Sequence, residues 1–367
     1  MPDTPLHRLS AEGQSVWIDS ISRQMLRSGD LERLLDEDAV VAVTSNPTIF
    51  EKAIAEGDAY DEQLREVVEH ERDIKEIFYA LAHRDIVDAC DVLRRVWDAG
   101  SGQDGYVSWE VDPRFANDTQ ATIDEARRLH DWVDRPNLLV KIPATKEGLP
   151  AIEESIAGGV SINVTLIFGL ERYREVAEAY LRGLERLVES GGDPRTIASV
   201  ASFFVSRVDT EADRRLAEIG REDLQGRLAI ANAKLAYAAY REIFAGPRWE
   251  ALRARGATPQ RCLWASTSTK NPAYRDVLYV EELIGPETVD TMPLETVRAF
   301  QDHGQVRRTL DQGVDEARRV IDDLQAAGVD VQDVTNTLEL EGVQKFKDSM
   351  EQLLAGLEPK RAAMAPA

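Results

Sequence analysis

The sequence is poor in cysteine and histidine. Its two cysteines, Cys90 and Cys262, both lie in apolar patterns and make no ligand or redox spacing, which excludes a disulfide framework and indicates a reducing compartment. The five histidines do not cluster, so we expect no metal site. Chemistry in this chain must therefore rest on other residue types.

Long apolar runs are also missing. No run reaches the ~18–20 residues that a membrane-spanning helix needs, and the N-terminus has no positive-then-apolar signal pattern. The net charge, 44 minus 66, is −22. Nucleic acids and anionic membranes bind basic surfaces, so neither is expected as a partner. We expect a soluble, cytoplasmic protein that is a monomer or a homodimer.

Lysine is scarce, since only nine of the 44 basic residues are lysines. One of them, Lys141, lies inside the apolar run 138–142 that precedes Pro143. Burial disfavours the charged form of a lysine, and a neutral lysine amine can attack a carbonyl to form a Schiff base. The alternative is a lysine whose ammonium group reaches out of the strand end or pairs with a carboxylate.

Eight strand candidates alternate with helical segments, which favours a single α/β domain over residues 1–367 that folds as a (β/α)8 TIM barrel. Extra helices are expected at both ends, with a loose tail at about 360–367. A doubly wound sheet is the competitor, but the first predicted strand is followed by Thr-Ser-Asn-Pro and not by a Gly-rich turn. The eight candidates begin near residues 40, 106, 138, 160, 197, 261, 278 and 288.

Three of these expectations concern particular elements. Apolar spacing after Ser10 predicts a helix that extends to Leu26 and carries Asp19. Residues 50–99 are predicted to be helical throughout. Tyr279 and Val280 are the centre of a short, weaker strand candidate.

Polar residues recur near the C-terminal ends of the predicted strands, where the functional residues of such barrels lie. Because buried polar groups need partners, residues at one level of successive strands would form one polar pocket around Lys141. Loop polarity alone accounts for Thr44 and Asp112, but it explains poorly the polar residues that have apolar neighbours. The set comprises Thr44, Asn46, Glu110, Asp112, Lys141, Asn163, Thr165 and Ser202.

This set suits Schiff-base chemistry on a sugar. An iminium on Lys141 would act as an electron sink, and forming it or cleaving the adjacent carbon–carbon bond needs a general acid/base, for which Glu110 and Asp19 are available. Arg207, just past the Ser202 strand, and Lys270, in a polar loop, suit a phosphate group. Each of the two could equally be an ordinary surface charge.

Five segments resemble the transaldolase family in order and spacing. They are Thr44–Phe50 (TSNPTIF), Glu110–Asp112 (EVD), Leu139–Gly148 (LVKIPATKEG), Ile162–Phe168 (INVTLIF) and Ser202–Arg207 (SFFVSR). The resemblance covers about residues 10–300. It implies an enzyme of the pentose phosphate pathway that moves a dihydroxyacetone unit from sedoheptulose 7-phosphate to glyceraldehyde 3-phosphate, with sugar phosphates as partners and no cofactor or metal.

The resemblance also implies residue roles. Lys141 forms the imine, Asp19 is the acid/base, and Glu110 with Thr165 holds a water for proton transfer. Asn46 and Ser202 bind the dihydroxyacetone hydroxyls, Asn163 is another sugar contact, and Arg207 binds phosphate. The remaining position, Phe204, lies near the catalytic water where fructose-6-phosphate aldolases have tyrosine, which favours transfer over simple cleavage.

One loop departs from the best-known family pattern. Residues 266–274 resemble a longer bacterial subfamily with Thr-Lys-Asn-Pro, so the second phosphate ligand is either Lys270 or Ser268. An aldolase that cleaves fructose 6-phosphate without transfer is the alternative enzyme. A non-catalytic barrel that binds sugar phosphates is the alternative of another class.

Overall fold

Eight parallel strands close into a barrel in the computed structural model, which describes residues 4–55 and 57–364. Each strand is hydrogen-bonded to the next one along the chain, and β8 pairs with β1. The predicted (β/α)8 barrel is therefore confirmed. The strands are β1 Gln14–Ile18, β2 Val40–Thr44, β3 Val107–Glu110, β4 Leu138–Pro143, β5 Ile162–Ile167, β6 Ser199–Phe204, β7 Arg261–Ala265 and β8 Thr288–Met292.

Helices surround this barrel, and their buried apolar side chains continue the core of the strands. No helix in residues 4–55 and 57–364 combines the length and apolar composition that crossing a bilayer requires. The helices are α1 Pro5–Ala11, α2 Arg23–Ser28, α3 Asp30–Glu37, α4 Pro47–Ala55, α5 Asp61–Val68, α6 Ile74–Ala99, α7 Thr119–Val133, α8 Gly148–Ala157, α9 Leu170–Glu189, α10 Ser206–Glu218, α11 Leu228–Ile243, α12 Pro247–Arg253, α13 Leu278–Glu282, α14 Leu294–His303, α15 Val314–Ala326 and α16 Val331–Met364.

The predicted helix from Ser10 to Leu26 is wrong. Helix α1 ends at Ala11, Gly13 turns the chain at φ +86°, and the next five residues form β1. Ser15 and Trp17, two residues apart, both hydrogen-bond Asp104, which is the alternation of a strand and not the period of a helix. The helical pattern misled because all five residues of β1 are buried. Asp19 therefore follows the end of β1.

The strand candidate at Tyr279 and Val280 is also wrong, because these residues lie in α13. The Tyr279 hydroxyl donates to Asp209 Oδ2 at 2.9 Å, so a helical turn directs it inward. The predicted number of strands was right because this false strand replaced the missed β1.

Two helical boundaries differ from expectation. The segment 50–99 contains α4, α5 and α6 with breaks between them, and its residue 56 lies outside the described residues. The last helix, α16, continues to Met364, so residues 360–364 are helical where a loose tail was predicted. Lys360 Nζ donates to the Ile54 carbonyl at 2.9 Å, which ties this end to α4. Residues 365–367 lie outside the described residues.

Strand register and the last helix position the site. Glu110 is in register with Lys141, Lys141 with Asn163, and Pro143 with Thr165, so these side chains occupy neighbouring levels of three strands. Helix α16 packs against α4, α10 and the end of β5, and so crosses the C-terminal end of the barrel. At Gly342 it approaches so closely that an added Cβ would lie 3.1 Å from Leu166 Cδ2.

Candidate active site

Lys141 lies near the C-terminal end of β4, and only 5% of its surface is exposed. Its Nζ donates to the Ser45 carbonyl oxygen at 3.0 Å and lies 3.5 Å from Glu110 Oε2. The Phe346 ring of α16 lies on the cavity side, 5.9 Å from Nζ. The amine is therefore held at the end of a rigid strand, beside one carboxyl group.

Glu110, the in-register neighbour of Lys141 on β3, is buried. Within residues 4–55 and 57–364, neither of its carboxyl oxygens has a hydrogen-bond partner, and the same holds for Thr165 Oγ1 on β5. Burial raises the pKa of Glu110 to about 7, against the opposing effect of Lys141. A carboxyl group with such a pKa can take up and release protons near neutral pH.

Asp19 reaches the site from the end of β1. Its Oδ1 accepts a hydrogen bond from Thr44 Oγ1 at 2.8 Å, and its Oδ2 lies 3.5 Å from the donor Asn46 Nδ2. Burial raises the pKa of this carboxyl group, although Lys141, Thr44 and Arg207 act in the opposite direction. Asp19 thus provides a second carboxyl group that exchanges protons more readily than an exposed aspartate.

Asn163 and Ser202 form a layer beneath the cavity. Ser202 Oγ donates to Asn163 Oδ1 at 2.7 Å, and Asn163 Nδ2 donates to Ser108 Oγ at 3.0 Å. Asn163 is fully buried and is not among the residues that line the cavity, whereas Ser202 is. The amide therefore orients the Ser202 hydroxyl, and its expected direct sugar contact stays a prediction.

A cavity of about 640 Å³ opens above this layer. Its lining includes eight of the ten residues predicted for the site, while Glu110 and Asn163 lie behind the lining. The eight are Asp19, Asn46, Lys141, Thr165, Ser202, Phe204, Arg207 and Lys270. One open cavity therefore joins the amine, two hydroxyl-bearing residues, a carboxyl group and two cations.

Four basic side chains besides Lys141 line the same cavity, in a chain whose net charge is −22. Arg207 begins α10 with its guanidinium 5.1 Å from the centre of the Phe204 ring, and Lys270 Nζ donates to Ser268 Oγ at 2.6 Å. Lys52 of α4 and Lys345 of α16 complete the set. Arg207, with burial and the other lysines, lowers the pKa of Lys345, which shows that these charges repel one another. Such a cluster suits an anion.

Sequence reasoning missed Lys52, Lys345 and Phe346. For Lys52, which lies six residues after Asn46 on the following helix, the one available signal was the scarcity of lysine. For Lys345 and Phe346 there was no local signal, since they lie about 200 residues from Lys141 in the sequence. Lys270 and Ser268, which were alternatives in the sequence, both line the cavity and bond each other.

Comparison with known proteins gives a consistent result. Residues 16–357 match the family described as Transaldolase/Fructose-6-phosphate aldolase. A protein named Transaldolase from Frankia alni is 56% identical over 354 residues, which cover 95% of each chain. Another of that name from Thermobifida fusca is 54% identical, over 98% of this chain and 99% of its own. Transaldolase 2 of Streptomyces avermitilis is 50% identical over 98% of both.

Proposed function

Because the chain belongs to the transaldolase/fructose-6-phosphate aldolase family and has transaldolase activity, we propose that the residues around Lys141 carry out that reaction. The reaction transfers a dihydroxyacetone unit from sedoheptulose 7-phosphate to glyceraldehyde 3-phosphate and gives erythrose 4-phosphate and fructose 6-phosphate. Transfer is favoured over simple cleavage because relatives at 50–56% identity are named Transaldolase.

The first half-reaction begins at Lys141. Its neutral amine attacks the ketone carbon of the donor, and the resulting carbinolamine loses water to give an iminium. Glu110 and Thr165, whose side-chain oxygens make no hydrogen bond to any described residue, hold a water that carries protons to and from the nitrogen and the departing oxygen. The pKa of Glu110, about 7, suits this exchange at neutral pH.

Asp19 acts on the other side of the bond that breaks. It takes the proton from the hydroxyl group on the carbon that becomes the aldehyde. The carbon–carbon bond then breaks, the aldehyde leaves, and the electron pair of that bond is delocalised onto the iminium. In the second half-reaction Asp19 returns a proton as the new bond forms to the acceptor aldehyde, and addition of water to the resulting iminium breaks its carbon–nitrogen bond, which releases the product ketose and restores the Lys141 amine. Asn46 and Ser202 hold the hydroxyls of the bound three-carbon unit, with Ser202 oriented by Asn163.

Arg207 and Lys270 bind the phosphate at the far end of the substrate, with the Ser268 hydroxyl bonded to Lys270 as a further donor. Lys52 and Lys345 add to the positive field at the same opening. Phe204 places an apolar ring beneath Arg207. No cofactor is required by this scheme, and we further propose a single-domain cytoplasmic protein, as a monomer or homodimer.

The observation that carries the mechanism is the position of Lys141 Nζ, 3.5 Å from Glu110 Oε2 in a cavity that Asp19 also lines. Incubation with fructose 6-phosphate followed by borohydride reduction should attach a three-carbon unit to Lys141, detected by peptide mass spectrometry. Lys141→Arg should abolish both the adduct and turnover. Lys146→Arg, a change just past the same strand, should retain both. An adduct that persists in folded Lys141→Arg would assign the nucleophile elsewhere.

A further inference from the structure

The loop that carries Ser268 and Lys270 connects β7 to α13 and has no regular structure between Ser266 and Pro272. Its beginning is fixed at two points. Ser206 N–H donates to the Ser266 carbonyl at 3.0 Å, and Thr267 Oγ1 donates to Asp290 Oδ1 at 2.8 Å. The loop is thus tied to the barrel on the side where it leaves β7.

A second anchor fixes the far end of the loop. The Tyr274 hydroxyl donates to Asp213 Oδ2 at 2.5 Å. Asp213 belongs to α10, the helix that begins with Ser206 and Arg207. One helix therefore carries both a cation of the cavity and the carboxylate that holds the loop of the other cation.

Asp213 and Gly226 form the site that holds the Tyr274 side chain. Asp213 Oδ1 accepts the Gly226 N–H at 2.8 Å, which orients the carboxylate so that Oδ2 faces the phenol. Gly226 has φ +71°, and a Cβ added there would lie 2.9 Å from the Tyr274 ring and hydroxyl. Burial, with the nearby Asp213, raises the pKa of the Tyr274 phenol, so it remains a donor. The ring, glycine and carboxylate form one specific contact.

The backbone of the loop is supported from within close to Tyr274, beyond the side-chain bond between Lys270 and Ser268. Tyr274 N–H donates to the Asn271 carbonyl at 3.1 Å, and Ala273 N–H donates to Asn271 Oδ1 at 2.9 Å. Asn271 directly follows Lys270, so the turn held by Tyr274 reaches the backbone of that lysine. Without the anchor, Lys270 would have to be ordered when the anion binds, at a cost in affinity.

We propose that Tyr274 is a positioning residue, which holds Lys270 opposite Arg207 by bonding Asp213 and thereby raises affinity for the phosphate of the substrate. The proposal rests on the phosphate-binding role proposed above for Arg207 and Lys270. It assigns Tyr274 no contact with the substrate and no part in Schiff-base formation.

Tyr274→Phe removes the hydroxyl and keeps the ring against Gly226. We expect KM for fructose 6-phosphate and the inhibition constant of inorganic phosphate to rise about 3- to 10-fold, with kcat nearly unchanged, since ordering one long side chain costs about 0.5–1.5 kcal/mol. Tyr279→Phe is the matched control, because it removes another bond to α10, to Asp209, from outside the loop. It should leave the phosphate constant unchanged.

A double-mutant cycle separates positioning from general structure. If Tyr274 acts through Lys270, Tyr274→Phe should have no further effect on the phosphate constant in a Lys270→Ala background. Additive effects would overturn the proposal, as would an unchanged phosphate constant in Tyr274→Phe alone. If Lys270→Ala alone leaves that constant unchanged, it is the phosphate role of Lys270 that fails.

Two further measurements keep the test decisive. Borohydride trapping with unphosphorylated fructose bypasses the phosphate site, so Tyr274→Phe should trap as efficiently as the native chain; a loss there would indicate a general structural defect and contradict the proposal. Should Tyr274→Phe not fold, Asp213→Asn retains an oxygen for Gly226 N–H and replaces the oxygen that accepts from Tyr274 with an NH2 group, which cannot accept the phenol proton. It should raise the same phosphate constant and leave that trapping intact.

Discussion

Glu110 is the residue whose surroundings should set the pH dependence of the reaction. Among the described residues its buried carboxyl oxygens accept no hydrogen bond, and burial raises its pKa from 4.5 to about 7 although Lys141 lies 3.5 Å away. Since its ionised form is the one that accepts protons, we expect turnover of the native chain to fall as the pH drops below about 7.

Glu110→Gln should lower kcat by about 10²- to 10⁴-fold, because an amide cannot relay protons. The same change should raise the melting temperature at pH 8. The pKa of Glu110 is 4.5 when exposed and about 7 when buried in the folded chain, so the free energy of unfolding that this group contributes below pH 4.5 is lost as the pH rises to about 7. Glutamine does not ionise, so the variant avoids that loss. Rate–pH profiles and melting curves at pH 4.5 and 8 measure both. Equal melting shifts at the two pH values would contradict the assigned pKa.

Arg23 is a buried residue whose role is to hold the segment that carries Asp19. It begins α2 just after that segment, and its Nε donates to Asp85 Oδ1 at 2.8 Å. The Tyr60 hydroxyl donates to the other oxygen of Asp85 at 2.8 Å, and the Arg23 guanidinium lies 4.5 Å from the Tyr60 ring centre. These contacts tie α2 to α5 and α6.

Arg23→Met should reduce the free energy of unfolding by about 3–5 kcal/mol, because it leaves the buried Asp85 carboxylate without its cationic partner. Arg33→Met is the control, since the Arg33–Asp30 pair is exposed and should contribute nothing measurable. Urea unfolding followed by circular dichroism gives both values. The prediction fails if the two variants are equally stable.

Single residues also show where sequence reasoning reached its limit. Lys141 and Glu110 could be predicted because a charged group among apolar strand neighbours is costly and needs a reason. Asn163 could be placed at the right level, but its neighbours on other strands could not be known. In the structure its amide hydrogen-bonds Ser202 and Ser108, and these hydrogen bonds depend on the register between strands.

Helix α16 is the element that completes the site, since it contributes Lys345 and Phe346 to the lining. Its close approach to the barrel depends on Gly342, which faces Leu166 and Phe168 at the end of β5.

Gly342→Val should displace α16 from the barrel mouth, because even its Cβ would lie 3.1 Å from Leu166 Cδ2. We expect a lower melting temperature and a KM for fructose 6-phosphate raised severalfold. Gly356→Ala, where an added Cβ meets nothing within 4 Å, should be neutral or should stabilise the helix by up to about 1 kcal/mol. Kinetics and thermal unfolding of the two variants test this, and an unchanged KM in Gly342→Val would refute it.

Elements were predictable where their periodicity was long. The segment 50–99 was correctly predicted to be largely helical because α6 alone extends over 26 residues, although the breaks between α4, α5 and α6 were missed. Strand β1 and helix α13 were exchanged because both are only five residues long, so the period of two and the period of 3.6 could not be separated.

The whole molecule carries a charge of −22, yet its cavity gathers Arg207, Lys270, Lys52 and Lys345. An anionic substrate is therefore repelled by the molecule at long range and attracted at the opening. Since Lys345 is exposed and close to the other three cations, its charge should act mainly on substrate capture.

Lys345→Gln should lower kcat/KM for fructose 6-phosphate about 3- to 10-fold at low ionic strength, with a smaller effect at 0.5 M salt because screening weakens the field. Lys347→Gln, two residues further along α16, changes the net charge equally but lies outside the cavity lining. It should have little effect. Steady-state kinetics across a salt series distinguishes the two, and equal effects would mean that net charge alone matters.

For the whole molecule, the barrel could be predicted from the alternation of strands and helices, but the position of α16 across the C-terminal end of the barrel could not. The Phe346 ring lies 5.9 Å from Lys141 Nζ although the two residues are about 200 positions apart in the sequence. No local sequence pattern predicts such a long-range contact. The family resemblance ended near residue 300, before α16 begins.

The position of α16 also has a consequence for biosynthesis. A chain is made from its N-terminus, so all eight strands, with Lys141, Glu110 and Asp19, are synthesised before α16. We expect a nascent chain that stops before Val331 to contain every proposed catalytic residue and still lack the cover over the amine. Helix α16, which leaves the ribosome after all eight strands, would then be the helix that completes the site.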